Sequence, residues 1–548
     1  MSGISALDRG KVIGKVTSEQ YDLVIIGGGI TGAGIVLDAA SRGLKVALDE
    51  KSDFASGTSS KSTKLIHGGL RYLKQFEIAL VREVGMERAI VHKLAPHLVK
   101  SEKMLLPLIK DGTYGKILTS LGLMVYDVLA GVEREDQRKM LSKDEALTLE
   151  PLLDESVLEG GGLYAEYRTD DARLTTEILK TAAGYKADIL NYAEAIDFLY
   201  TDDQVSGITW KDHLTGNTHE IKASYVISAA GPWVDKIRKK NHSFEGKRLH
   251  PTKGVHVVLP REKFPVNQSV YFDVPDGRML FAIPRDRVTY LGTTDTDYHG
   301  DLNDVRTDKV DVDYLLDGAN RAFPDVDLTI EDVESSWAGL RPLIEEEGKS
   351  ASELSRKDEI FESDTGLLSI AGGKLTGYRK MAERIVDKLA KRIRRDQDRK
   401  ISDCITDEIS ICGGPFEDGE DVLKYEQVVA EKVKSAGLDT YYGVYLVGNY
   451  GRQSDDILKH FQEIDNEDPE IRLALAELEF TINIESVQSV MDFFERRTGR
   501  LYFHIQSIEK LRVPVLNKMA AVFSWSEERI QQENGYLDKA VEIASHFN

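Results

Sequence analysis

The chain has 548 residues, 41% of them hydrophobic and 30% charged, and its 92 acidic and 71 basic side chains leave a net charge of −21. That length exceeds what one core supports and predicts two or three domains. The negative balance repels a phosphate backbone and excludes sequence-independent nucleic-acid binding. Cys404 and Cys412 form no C-x-x-C pair and have no clustered histidines about them. They predict neither a disulfide framework nor a metal site, and they fit a reducing compartment.

Residues 1–20 lack the apolar core of a signal peptide and read as a mobile arm or as a segment packed elsewhere on the protein. Tyr21 to Ile26 is an apolar, β-branched run of strand length. Gly27, Gly29 and Gly32 follow in G-x-G-x-x-G spacing. The first glycine permits a tight turn, the second lets backbone approach a pyrophosphate, and the third lets the next helix pack closely. That helix, expected over Ile30 to Ser41, directs its free N–H groups and dipole at the phosphates. Leu44 to Leu48 forms a second strand ending at Asp49-Glu50. Glu50 stands about 20 residues beyond the glycines, where an acidic side chain holds a ribose hydroxyl. Strand, glycine turn, helix, strand and acid together predict a dinucleotide site.

Asp53 to Leu73 is rich in small hydroxyl residues and ends in a glycine pair. The residues alone allow an ordinary flexible loop, or one that wraps the phosphates and ring of the dinucleotide. Phe76 to His97 is amphipathic, breaks at Pro96 and reads as a surface helix. Ile117 to Val132 is interrupted by Tyr126 and Asp127 and is too short to span a bilayer. Thr169, Asp170 or Asp171 caps a helix through Tyr185. A strand pair around Ile196–Leu199 and Val205–Trp210 precedes an apolar strand ending in Ala229-Ala230-Gly231-Pro232-Trp233. Lys253–Val258, Met279–Pro284 and Val288–Asp295 read as strands of an antiparallel sheet. Leu367 to Arg379 is a strand, a glycine turn and a helix start, the helix running to about Arg395. After a linker at Asp396 to Lys400, helices with charged faces are expected over Asp421–Ala436, Glu470–Ile482 and Glu485–Ile505, with no catalytic cluster among them.

The run Thr58-Ser59-Ser60, then Lys64-Leu65-Ile66-His67-Gly68-Gly69-Leu70-Arg71-Tyr72-Leu73, resembles the signature of FAD-dependent glycerol-3-phosphate dehydrogenases. These belong to the D-amino-acid-oxidase-like flavoproteins, and the likeness extends from about Tyr21 to about Glu527. It implies an α/β fold: a Rossmann-like FAD-binding domain, an inserted antiparallel-sheet substrate domain and a C-terminal helical domain. The bounds expected are 21–99, 161–249 and 335–396 for the first, 100–160 and 250–334 for the second, and 401–548 for the third.

The resemblance further implies flavin contacts at Gly27, Gly29, Gly32, Glu50, Thr58, Ser59, Ser60, His67, Gly68, Gly69, Ala230, Gly231, Gly372, Gly373, Lys374, Leu375 and Thr376. Both cysteines lie outside these motifs, so the FAD is expected to be non-covalent, with His67 the one position where a tether is conceivable. Arg71 and Lys374, helped by Tyr72, fall to a substrate phosphate, and Arg341 to the reacting oxygen. His256 or His67 takes the proton, a task that suits neutral imidazole near pH 7. On the residues alone, each cation could be an ordinary surface group, and His256 could be a histidine stacked in a sheet.

The reaction implied is oxidation of sn-glycerol 3-phosphate to dihydroxyacetone phosphate, with hydride passing to flavin N5 and electrons to a membrane quinone. The alternative in the same family is an oxidase that reduces oxygen to hydrogen peroxide. Such oxidases carry an insertion of several tens of residues, and this chain is too compact to hold one. An amine or amino-acid oxidase would ask for one arginine, whereas three candidate cations favour phosphate. A redox-inactive flavin-binding protein would not keep all these residues. Localisation is expected to be cytoplasmic, with peripheral contact on the cytoplasmic membrane face through Lys236, Arg238, Lys239, Lys240, Lys247 and Arg248 or the Lys388–Arg395 helix end. A homodimer is compatible with the resemblance.

Overall fold

A computed structural model describes residues 3–67, 78–110, 112, 138–345 and 357–547. The strand Gln20–Ile26 lies in an eight-stranded sheet, with parallel neighbours Val46–Asp49 on one side and Thr218–Ser228 on the other. Strand Leu368–Gly372 runs parallel beyond Thr218–Ser228, and Asp188–Leu190 beyond Val46–Asp49. A strand flanked by two parallel partners buries both faces, which explains the unbroken apolar run: Leu23, Val24 and Ile25 are fully buried. Helices Ile30–Ser41, Asp171–Gly184 and Tyr378–Gln397 contribute to the core beside it. Asp170 caps the second of these, its side chain accepting from the Arg173 backbone amide.

The second sheet has ten strands, with the twelve-residue Leu249–Pro260 near one end. Val255, Val257 and Leu259 are buried on one face, and His256 and Gly254 alternate onto the other. Two strands expected in the cofactor domain belong to this sheet. Leu158–Arg168 pairs with Lys100–Ile109, and Ser335–Ile344 pairs with Leu249–Pro260 along ten residues.

Of the two readings of the N-terminal stretch, the structure shows the packed one. Residues 6–18 form a 3₁₀ turn and a helix; the Ile4 amide donates to Ile484 O at 2.8 Å, and Arg9 pairs with Asp212 at 2.8 Å. The helix expected over Glu485–Ile505 is also broken. Ser486 and Gly499 both have left-handed backbone, and between them lies one wide π turn, Asp492–Arg497. Its geometry turns Arg496 and Arg497 onto Asp53 of the cofactor domain at 2.6 and 2.8 Å, all three buried. Glu485 likewise joins Arg173 and Lys180. Removing one partner of such a buried pair costs about 3–5 kcal/mol, because the charge left behind is buried and uncompensated.

The Ile78–Leu94 helix, expected at the surface, buries Val81, Val84 and Val91 together with Glu87 and Arg88. The Ile117–Val132 stretch lies outside the described residues. Among those described, no helix is long and apolar enough to cross a membrane. Several of the cations expected to meet one are engaged within the protein. Arg238 donates to Lys247 O and Glu245 O, Lys240 donates to Ile196 O, Lys247 pairs with Glu359, and Lys388 with Glu362.

Candidate active site

A cavity of about 340 Å³ runs from the carboxyl ends of the parallel strands to the face of the second sheet that carries His256. Its floor is the glycine turn. Gly27 has φ 112° and donates to Asp49 O at 2.8 Å. A Cβ on Gly32 would lie 1.8 Å from Gly27 O, so this glycine serves helix packing and does not face the cavity. Gly29 does face it, and the Ile30 amide donates to Ser59 Oγ at 2.9 Å, tying the helix start to the hydroxyl-rich loop. Glu50 accepts from the Gly28 amide at 2.8 Å and the Ser52 amide at 3.0 Å, which fixes the carboxylate at the cavity wall. Burial pushes its pKa above the ordinary carboxylate value.

The hydroxyl-rich loop is held from several sides. Thr58 donates to Leu340 O at 2.6 Å, the Trp337 indole to Ser62 O at 3.1 Å, and Tyr290 to Thr63 O at 3.1 Å. Buried Lys64 donates to Ser60 O and pairs with Asp171 at 2.5 Å. Thr58 and Ser59 line the cavity, and Ser60 is buried beside them. The bland reading of a flexible loop does not survive this number of anchors.

The opposite wall follows from strand register. Thr252, Gly254 and His256 stand opposite Arg341, Gly339 and Trp337, all on one face. His256 stacks on Trp337 at 4.8 Å between centroids and 14° between planes, and its Nε2 meets Thr63 Oγ1 at 3.0 Å. Its Nδ1 has no hydrogen-bond partner among the described residues. Burial first, then Arg341 and Lys64, hold its pKa well below the usual imidazole value, so the ring is neutral. Arg341 bonds Asp295 at 3.1 Å, Thr293 Oγ1 at 2.9 Å and Thr294 O at 3.1 Å. A Cβ on Gly254 would strike this guanidinium at 2.3 Å, so the absent side chain is what gives Arg341 its place.

The third wall is the turn after Leu368–Gly372. Gly372 and Gly373 both take left-handed backbone, Lys374 precedes a 3₁₀ turn, and Leu375 and Thr376 line the cavity. Thr376 Oγ1 accepts from the His67 amide at 3.1 Å and donates to His67 O at 3.2 Å, joining the two expected flavin loops. Ala230 and Gly231 complete the lining. Gly68, Gly69, Arg71 and Tyr72 lie outside the described residues.

Several lining or supporting residues escaped the sequence reading. Trp337 could have been found, since Trp337, Gly339 and Arg341 alternate in one strand. Thr63 offered no signal, because its partner His256 is distant in sequence. The C-terminal domain, read as free of site residues, places Tyr502 and Phe503 against Trp337 at 5.4 and 5.7 Å. Only the fold reveals this backing.

A glycine cradle for a dinucleotide, facing a polar wall on a second sheet, is the construction of a flavoprotein oxidoreductase. A model of the FAD dependent oxidoreductase family matches residues 22–379, and a model of the C-terminal domain of alpha-glycerophosphate oxidase matches residues 404–530. The chain is an FAD-dependent oxidoreductase, and the donors and glycines of the cradle fit that cofactor. It is 47% identical over 543 residues to the aerobic glycerol-3-phosphate dehydrogenase of Bacillus subtilis (strain 168), covering 98% of each chain. With the protein of the same name from Staphylococcus haemolyticus (strain JCSC1435) it shares 48% identity, covering 100% of this chain and 98% of the relative. The X-ray structure of the glycerol-3-phosphate dehydrogenase from Bacillus halodurans complexed with FAD superposes with a TM-score of 0.84 at 43% identity, covering 99% of this chain and 98% of that one. The chain belongs to the family of aerobic glycerol-3-phosphate dehydrogenases. An L-alpha-glycerophosphate oxidase from Mycoplasma pneumoniae shares the fold, with a TM-score of 0.56 at 20% identity over 70% of this chain.

Proposed function

We propose that this protein oxidises sn-glycerol 3-phosphate to dihydroxyacetone phosphate and delivers the electrons to a membrane quinone. The observation that carries the substrate is the full-length likeness to proteins named aerobic glycerol-3-phosphate dehydrogenases. FAD, when bound non-covalently, supplies the two-electron acceptor, taking the carbinol hydride at N5. The chain's own part is placement and charge.

In the tautomer that donates Nε2–H to Thr63 Oγ1, His256 keeps a lone pair on Nδ1, and we assign it as acceptor for the hydroxyl proton. Arg341 steadies the oxygen as it gains charge, its guanidinium oriented by Asp295 and Thr293. Lys374, with Arg71 and Tyr72, takes the phosphate, which brings nearly two negative charges. His67 is assigned to positioning the flavin through its backbone pair with Thr376. Electron delivery to a quinone asks for peripheral contact with the cytoplasmic membrane face. Salt-reversible sedimentation with anionic liposomes checks that contact, and failure to bind at any salt removes it.

The test is an anaerobic visible spectrum of the yellow holoprotein. Glycerol 3-phosphate bleaches the flavin band under this reading, and amino acids do not; the reverse pattern overturns it. A second reading, the oxidase that reduces oxygen to peroxide, draws on the description of the matching C-terminal model. Peroxide formed stoichiometrically with glycerol 3-phosphate, faster than a quinone analogue is reduced, would select it.

A further inference from the structure

We propose that the 298–306 loop of the second domain is a clasp over the adenosine end of the FAD cavity, latched by Asn303 onto Lys51 and Trp233. This goes beyond the reaction assigned above and rests only on FAD as the cofactor. An acid at the end of the second parallel strand holds a ribose of the dinucleotide, so the adenosine lies past Glu50. Lys51 is the next residue, and with Trp233 and Asn303 it lines the cavity.

The latch is one side-chain amide. Asn303 Oδ1 accepts from Lys51 Nζ at 2.8 Å and from Trp233 Nε1 at 3.0 Å. Its Nδ2 donates to Asp301 Oδ1 at 3.0 Å, as does its backbone amide at 3.1 Å. Exchanging the amide oxygen and nitrogen would face NH₂ against two donors and a carbonyl against a carboxylate, so one orientation satisfies every partner. The loop behind it is pre-formed: Tyr298 OH donates to Asp301 O at 2.8 Å and Asp304 O at 3.2 Å, and its amide donates to Pro251 O. On the other side, the Lys51 ammonium sits 3.6 Å over the Trp233 ring. A Cβ on Gly57 would lie 3.0 Å from that ring, which places Trp233 against the hydroxyl-rich loop as well. The bridge thus joins two domains across the cavity, and FAD release requires it to open.

The experiment follows the rise of free-flavin fluorescence after dilution of the holoenzyme, a readout that needs no substrate. Asn303→Ala should release FAD about tenfold faster, the size expected for losing two solvent-exposed hydrogen bonds, one of them to a charged donor. Trp233→Phe, which keeps the ring and removes the N–H, should accelerate release by a smaller factor. The double variant should be no faster than Asn303→Ala alone, because both act through one latch. Release within twofold of the parent for Asn303→Ala overturns the clasp, and so do fully additive effects. If Asn303→Ala does not fold, Trp233→Phe decides alone: unchanged release overturns the proposal.

Discussion

The two long walls of the cavity are built in opposite ways. The cradle wall is mainly backbone: Gly27, Gly28 and Ile30 contribute amides and close approaches, and residues 27–50 supply most of it, with Ser59 accepting from the Ile30 amide. The facing wall is side chain: His256, Trp337 and Arg341 come from two paired strands and gain their places from register and from missing neighbours at Gly254 and Gly292. A backbone wall tolerates many side chains nearby but no added Cβ. A side-chain wall tolerates little change of side chain, yet its loss leaves the cradle standing. Cofactor retention and chemistry should therefore separate by mutation.

The largest effect belongs to the cradle. Gly32→Val puts Cβ 1.8 Å from a backbone oxygen that cannot move without unseating the turn. No flavin-containing protein is expected, measured as the ratio of flavin to protein absorbance. Yellow protein at parental occupancy would contradict the packing role of that glycine.

Next comes the wall. His256→Gln removes the proposed proton acceptor while keeping a polar side chain, and a positioned base contributes about 10²- to 10⁴-fold. kcat for glycerol 3-phosphate should fall at least about 100-fold with FAD still bound. Trp337→Leu leaves His256 without its stacking partner and should cost about tenfold in kcat, since aromatic pairs contribute roughly 0.5–1.5 kcal/mol. Loss of FAD in either variant would blur the separation of the walls.

The contrast also explains what could be read from the sequence. Backbone devices leave local signatures: Gly27, Gly29, Gly32 and Glu50 were legible because the turn, helix and acid follow one another within one unit. The Gly372-Gly373 turn was legible for the same reason. Side-chain walls depend on pairing, and nothing within residues 249–260 tells that residues 335–344 lie alongside. The sequence alone thus takes Trp337–Leu343 back towards the cofactor without giving Trp337 a place beside His256. The wide turn at Asp492–Arg497 was hidden for a further reason: the partner of its two arginines, buried Asp53, is more than 400 residues away in sequence.

The smallest expected effect concerns stability against pH. Burial, with Lys100, Arg173 and Lys180 nearby, lowers the His97 pKa from 6.5 to about 3, and its ring nitrogens have no hydrogen-bond partner among the described residues. A histidine depressed in the folded state is protonated first in the unfolded chain. Its contribution is therefore intact above pH 6.5 and is lost as pH falls toward 3, by about 1.4 kcal/mol per unit. His97→Phe should flatten the fall in Tm between pH 7 and pH 5. Parallel Tm curves for parent and variant would show that His97 does not carry the acid sensitivity.

The most direct test of the separation between the walls is anaerobic stopped-flow reduction of Arg341→Ala holoprotein by glycerol 3-phosphate. A charge-assisted contact made as the oxygen becomes negative is worth on the order of 2–4 kcal/mol. The expected result is full FAD occupancy with flavin reduction slowed roughly 30- to 1000-fold. Reduction at the parental rate, or a loss of FAD that tracks the loss of activity, would contradict it.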